Sequence, residues 1–81
     1  MEEQFDEVEG KVRDVIKEVL QAEDSEVKKT ATIADLGGDS LSALAILSAL
    51  EREFDIDIPD NEALGIDSFA TAVEAVRKHV S

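Results

Sequence analysis

The chain has 81 residues, 20 of them acidic and 8 basic, for a formal net charge of −12. Such a surface repels nucleic-acid phosphates and favours proteins with basic patches, with encounters that weaken as salt rises. With no cysteine and a single histidine, His79, disulfides and thiolate metal sites are excluded, and a self-contained Ser-His-Asp hydrolase is disfavoured.

The length fits one domain spanning residues 1–81, near the lower limit of what folds without staples. Residues 1–10 are acidic and lack the basic start and apolar core of a leader peptide. The longest uncharged stretch, residues 40–50, falls far short of the ~20 apolar residues needed to span a bilayer. The expectation is a monomeric, cytoplasmic protein with no membrane span.

Residues 2–22 place Phe5, Val8, Val12, Val15, Ile16, Val19 and Leu20 at spacings of three and four, one apolar stripe on a helix. Acids crowd its start, where the helix dipole favours them. Gly10 falls inside it and costs roughly 0.5–1 kcal/mol against alanine. Residues 23–39 form a long connection, with Asp24-Ser25 and Gly37-Gly38 as turn formers at its ends. Loops of this size are functional or pinned down, and Val27, Ile33 and Leu36 are the expected pins. A short helical turn over residues 25–29 is compatible with the pattern.

A second helix is expected over Ser40–Phe54. Leu41, Leu44, Ile46, Leu47, Leu50 and Phe54 share a wide apolar arc, and Ala43, Ala45 and Ala49 add propensity. The arc is wider than one buried face needs, so some of Leu41, Leu44 and Leu47 should stay outside the core. Asp39 is a good N-cap. Residues 53–59 alternate polar and apolar, but a lone strand without a partner is not viable. They read as an extended linker with Ile56 and Ile58 dipping into the core. Pro59 then opens a short helix over residues 60–64, ended by Gly65. Ser68 caps a last helix over Phe69–His79, with Phe69, Ala72, Val73, Val76 and Val80 on its apolar stripe and basic residues in its final turn. The fold class is all-α: a small four-helix bundle, three helices longer and one short, with a long loop between the first and second.

Chemistry gathers at Ser40. A phosphate ester on this hydroxyl would face free backbone N–H groups and the positive end of the helix dipole. Gly37 and Gly38 remove bulk, which would let a modifying enzyme reach it and the loop turn tightly. On the short string alone, an ordinary helix start is the better explanation of Gly-Gly-Asp-Ser, since short motifs match by chance. The wider order of blocks distinguishes the two. Asp35-Leu36-Gly37-Gly38-Asp39-Ser40-Leu41, then Ala49-Leu50-Glu51-Arg52-Glu53-Phe54, then Ile56-Asp57-Ile58-Pro59-Asp60 resemble the acyl carrier protein family in order and spacing, over nearly the whole chain.

The resemblance implies a four-helix bundle that performs no catalysis and has no catalytic residue. It implies that a phosphopantetheinyl transferase, using coenzyme A and Mg²⁺, attaches 4′-phosphopantetheine to Ser40, with Asp39 and Leu41 completing the motif. Acyl groups then ride as thioesters on that arm to acyl-transferring and condensing enzymes, which dock on the second helix through basic patches. Candidate docking residues are Leu41, Leu44, Ser48, Glu51, Glu53 and Ile58.

The chain also departs from the family pattern. Fatty-acid carriers bear acids soon after the serine, whereas Ser42 and Ala45 stand here. Arg52 interrupts an acidic triplet, and Gly38 replaces a common alanine. Leu-Gly-Gly-Asp-Ser is similar to peptidyl and some polyketide carriers; the acidity and the Glu-Phe-Asp-Ile-Asp-Ile-Pro segment speak for a free-standing acyl carrier, in fatty-acid or specialised lipid or polyketide synthesis. A peptidyl or aminoacyl carrier and an unmodified acidic helical adaptor are the alternatives. Asp55, Asp57, Asp60 and Glu62 do not form a calcium loop, because Asp60 stands where that loop requires glycine. They read as a solvated rim with no metal site, and His79 as a cation suiting the end of its helix.

Overall fold

The computed structural model describes residues 4–80. They form four helices in the order α1 (Glu7–Leu20), α2 (Ser40–Phe54), α3 (Asp60–Ala63) and α4 (Phe69–His79), with no strand among the described residues. The all-α bundle of three longer helices, one short one and a long first loop is therefore the architecture observed.

The first helix is shorter than the apolar spacing implies, because caps override periodicity at both ends. Asp6 accepts a bond from the Glu9 backbone N–H, and the Glu9 side chain accepts one from the Asp6 N–H. This reciprocal box satisfies two donors that a helix start leaves unpaired. Residues 2 and 3, which the spacing also assigned to the helix, lie outside the described residues. Phe5 nevertheless packs on the core, edge-on to Phe69 with ring centroids 5.5 Å apart. At the other end Gln21 turns into the left-handed region at φ 54° and stops the helix before Ala22.

Val12 and Ile16 on α1, Ile46 and Leu50 on α2, and Phe69, Ala72, Val73, Ala75 and Val76 on α4 make up the helical part of the core. Helix α1 packs against both α2 and α4, which meet each other along a shorter seam. The stripe on α4 holds as far as Val76. Val80 does not belong to it: the helix has ended, its backbone is extended, and it is 39 % exposed.

The long loop is pinned from two sides. Val27, Ala31 and Ile33 are buried, and Leu36 packs partly against the core. Ile33 N–H donates to Asp67 O and Phe69 N–H to Ala31 O, an isolated antiparallel bridge centred on Thr32 and Ser68. No helix forms at residues 25–29; a turn at residues 24–26 stands there instead. Lys17 pairs with Asp24 across the start of the loop.

The alternating segment after α2 is extended and unpaired, as the lack of a partner strand demands. Asp55 turns through the left-handed region at φ 54°, Ile56 packs partly, and Ile58 enters the core at 5 % exposure. Helix α3 closes one residue earlier than expected. Leu64 caps it with right-handed backbone and points outward at 89 % exposure. Gly65 makes no left-handed turn; among the glycines only Gly37 has positive φ.

Candidate functional site

Ser40 is the first residue of α2 and is exposed. The chain reaches it through a tight turn: Gly37 takes φ 83°, a conformation open to glycine at no steric cost. Gly38 N–H donates to Ile33 O at 2.8 Å. Asp39 then caps the helix, its carboxylate accepting from the Ser42 backbone N–H at 3.0 Å and from the Ser42 hydroxyl at 3.3 Å. Those bonds, the backbone one foremost, hold the Asp39 carboxyl below the usual carboxylate range. With Asp39 turned toward Ser42, the Ser40 hydroxyl makes no side-chain hydrogen bond among the described residues. The first-turn amides at Ser40 and Leu41 have no acceptor within the helix. A hydroxyl without a side-chain partner beside first-turn amides that have no acceptor within the helix fits a phosphoester at Ser40, since both amides and dipole favour negative charge there.

The two glycines play different parts: Gly37 makes the tight turn that the sequence implied, and Gly38 serves packing. An alanine Cβ at Gly38 would sit 2.5 Å from Ile33 Cγ2, 3.0 Å from Leu20 Cδ2 and 3.2 Å from Ile33 O. The missing side chain thus makes room inward, for packing of the loop against α1, rather than outward for a visiting enzyme. At Gly37 nothing lies within 4 Å of such a Cβ, and the positive φ is the reason for glycine.

A cleft of about 690 Å³ opens beside Ser40, with α2, α3 and the long loop as its walls. Ile33, Ala43, Leu47, Ala63 and Ile66 supply apolar surface, while Asp39, Asp60 and Asp67 lie on its polar side. Sequence reasoning missed this cleft, because residues 33, 43, 63 and 66 come together only in three dimensions. Leu44, 57 % exposed, and Leu64, 89 % exposed, line the same cleft. Leu41 is 74 % exposed and does not line it. Among the described residues, three of the four exposed large hydrophobics, Leu41, Leu44 and Leu64, therefore lie next to Ser40 in sequence or on the cleft beside it.

The remaining docking candidates divide. Ser48 is exposed and lies with Glu51 on a shallow hollow of about 650 Å³ shared with Arg52, Asp55, Ile56 and Asp57. Glu51 is partly committed within the fold, since its Oε2 accepts from the Ile58 N–H at 2.9 Å. Glu53 is exposed. Ile58 is corrected: a side chain packed in the core has no surface to offer a partner. His79 has a partner that sequence did not show, Glu62 on α3, 2.8 Å from its Nε2. Among the described residues no cluster of acids and histidine is arranged to hold a metal ion, and no helix is long and apolar enough to cross a membrane.

The protein-family model for the phosphopantetheine attachment site matches residues 10–76. The matched span takes in most of α1, the long loop, Ser40, the cleft and α4 as far as its last buried residue.

Proposed function

This chain belongs to the phosphopantetheine attachment site family, and on that premise we propose that it carries acyl intermediates on an arm attached at Ser40. The family's domain is the attachment site for 4′-phosphopantetheine, and such domains are in general carriers rather than catalysts. When bound, the prosthetic group supplies a terminal thiol on which an acyl group rides as a thioester. In the proposal the protein is not an enzyme; its own residues position and shield. Ser40 provides the oxygen for the phosphoester, Asp39 fixes the start of α2, and Leu41 and Leu44 face the enzymes that approach. Residues 1–81 act as one acyl-carrier domain, monomeric and cytoplasmic.

One observation carries the choice of an acyl cargo: the cleft with apolar walls beside Ser40. An alkyl chain entering it would leave water, at roughly 0.8 kcal/mol for each methylene fully buried. The neutral first half of α2 supports a specialised lipid or polyketide pathway as readily as primary fatty-acid synthesis. Phosphopantetheinyl transferase and acyl-transferring or condensing enzymes would be steered by the −12 charge toward basic patches, and would then contact an uncharged stretch of helix. The Leu-Gly-Gly-Asp-Ser string favours a peptidyl carrier as the second reading. That argument is weakened because the packing of Ile33 and Leu20 already calls for glycine at position 38.

Incubation with coenzyme A, Mg²⁺ and a broad-specificity phosphopantetheinyl transferase, followed by intact mass measurement, tests the attachment. The wild type should gain one phosphopantetheine and Ser40→Ala none. No gain on the wild type, or the same gain on the variant, refutes Ser40 as the site. Mass analysis of the group carried in the native cell separates the readings: a fatty or polyketide acyl chain supports the acyl one, and an aminoacyl or peptidyl group overturns it.

A further inference from the structure

Helix α3 forms one wall of the cleft, contributing Asp60, Ala63 and Leu64, yet it is the least anchored element of the fold. None of its residues is buried, and Pro59 at its start supplies no side-chain cap. Two things hold it. Ile58 and Ile66, on either side, are 5 % and 4 % exposed and sit in the core. Between them, Glu62 reaches the last turn of α4, where Oε2 lies 2.8 Å from His79 Nε2 and Oε1 lies 3.3 Å from Lys78 Nζ. The Glu62 and His79 side chains are 21 % and 23 % exposed, so this pairing is less open to solvent than an ordinary surface ion pair. Hydrogen bonding, from His79 first and Lys78 after it, keeps the Glu62 carboxyl below the usual range.

We propose that Glu62 is a positioning residue for the cleft: gripped by Lys78 and His79, it holds α3 in place and so controls how well the cleft encloses an apolar chain beside Ser40. Ile58 and Ile66 fix the two ends of the segment but leave α3 free to swing about them. The clasp resists that swing because it ties the middle of α3 to the rigid end of α4. Lost pairing frees the wall without unfolding the bundle, since the core residues of α1, α2 and α4 make no use of Glu62. The proposal rests on the carrier reading only for the identity of the occupant.

The test compares wild type with Glu62→Ala and His79→Ala. Amide hydrogen exchange on the unmodified protein reads the wall directly. The Ala63 N–H bonds Pro59 O, the Leu64 N–H bonds Asp60 O and the Ile66 N–H bonds Ala63 O, so these amides report opening of α3. Exchange there should speed up roughly two- to fivefold, the range expected from loss of one partly exposed ion pair, while amides in the middle of α2 and α4 keep their rates. Unchanged exchange at these α3 amides, or an equal rise throughout the bundle, overturns the positioning role. The second readout uses protein loaded with octanoyl-phosphopantetheine, whose thioester is cleaved by hydroxylamine. Cleavage should be faster in Glu62→Ala by a similar factor; an unchanged rate overturns the link between α3 and enclosure. Failure of Ser40 to load would refute the attachment proposal instead, and the exchange experiment would still decide the clasp.

Discussion

Replacing Gly38 by alanine tests whether this glycine serves packing or access. The added Cβ falls 2.5 Å from Ile33 Cγ2 and 3.0 Å from Leu20 Cδ2, well inside normal carbon–carbon separation. Ile33 has little room to yield. It is 5 % exposed, its N–H is bonded to Asp67 O, and its carbonyl accepts from Gly38 itself. Forcing one methyl into such a site costs about 1–3 kcal/mol. In a domain of this size that lowers Tm by roughly 4–24 °C, at about 4–8 °C per kcal/mol. Thermal unfolding followed by circular dichroism measures it, with Gly65→Ala as control, since a Cβ there meets Glu62 O at an ordinary 3.5 Å. Ile33→Ala should be destabilising alone, by about 2–5 kcal/mol, but should remove most of the penalty of adding Gly38→Ala in a double-mutant cycle. A Tm for Gly38→Ala within about 2 °C of wild type, roughly half the shift expected from 1 kcal/mol, would refute the packing argument.

Three further outcomes are expected. Gly10→Ala should stabilise the protein by about 0.5–1 kcal/mol, because the position is helical and a Cβ there meets nothing within 4 Å; a lower midpoint in urea contradicts this. Asp39 has a lowered carboxyl pKa, so its contribution is complete above the unfolded value and is lost as pH falls through the folded one. Asp39→Asn keeps a capping oxygen but does not titrate, so the wild type's advantage at pH 7 should shrink below about pH 4; urea midpoints across that range check it, and a constant difference sinks it. Millimolar Mg²⁺ at low salt should raise Tm by relieving the self-repulsion of a −12 chain, without saturable binding at one site.

Information close along the chain was legible in the sequence. The apolar spacing of Val12 and Ile16, of Ile46 and Leu50, and of Phe69, Ala72, Val73 and Val76 identified the helices and their buried faces. Asp39 and Ser68 marked two starts, because a capping bond spans only three residues. The same locality explains the errors at α1. Its stripe begins before the helix, at Phe5, and nothing in the spacing marks Leu20 as the end; only the Asp6–Glu9 box and the left-handed turn at Gln21 say where the helix starts and stops. Ser40 could be singled out because its surroundings in sequence are also its nearest surroundings in space.

What depends on distant residues meeting was decided by the tertiary structure alone. No pattern in the chain says that Ile33 lies against Gly38 on one side of a turn and Leu20 on the other, so the glycine was read as an opening rather than as a packing site. Ile58 is a mixed case: the alternating segment already places it in the core, and its burial bears that out while ruling out the docking contact also expected of it. The bridge from Thr32 to Ser68, the clasp from Glu62 to His79 and the cleft beside Ser40 all join residues many positions apart. Periodicity reports which face of a helix is apolar, but it does not say what that face will meet. For this protein the sequence alone singled out the hydroxyl proposed to carry the arm; the packing of α3 and the loop around it determined the cleft in which a cargo would rest.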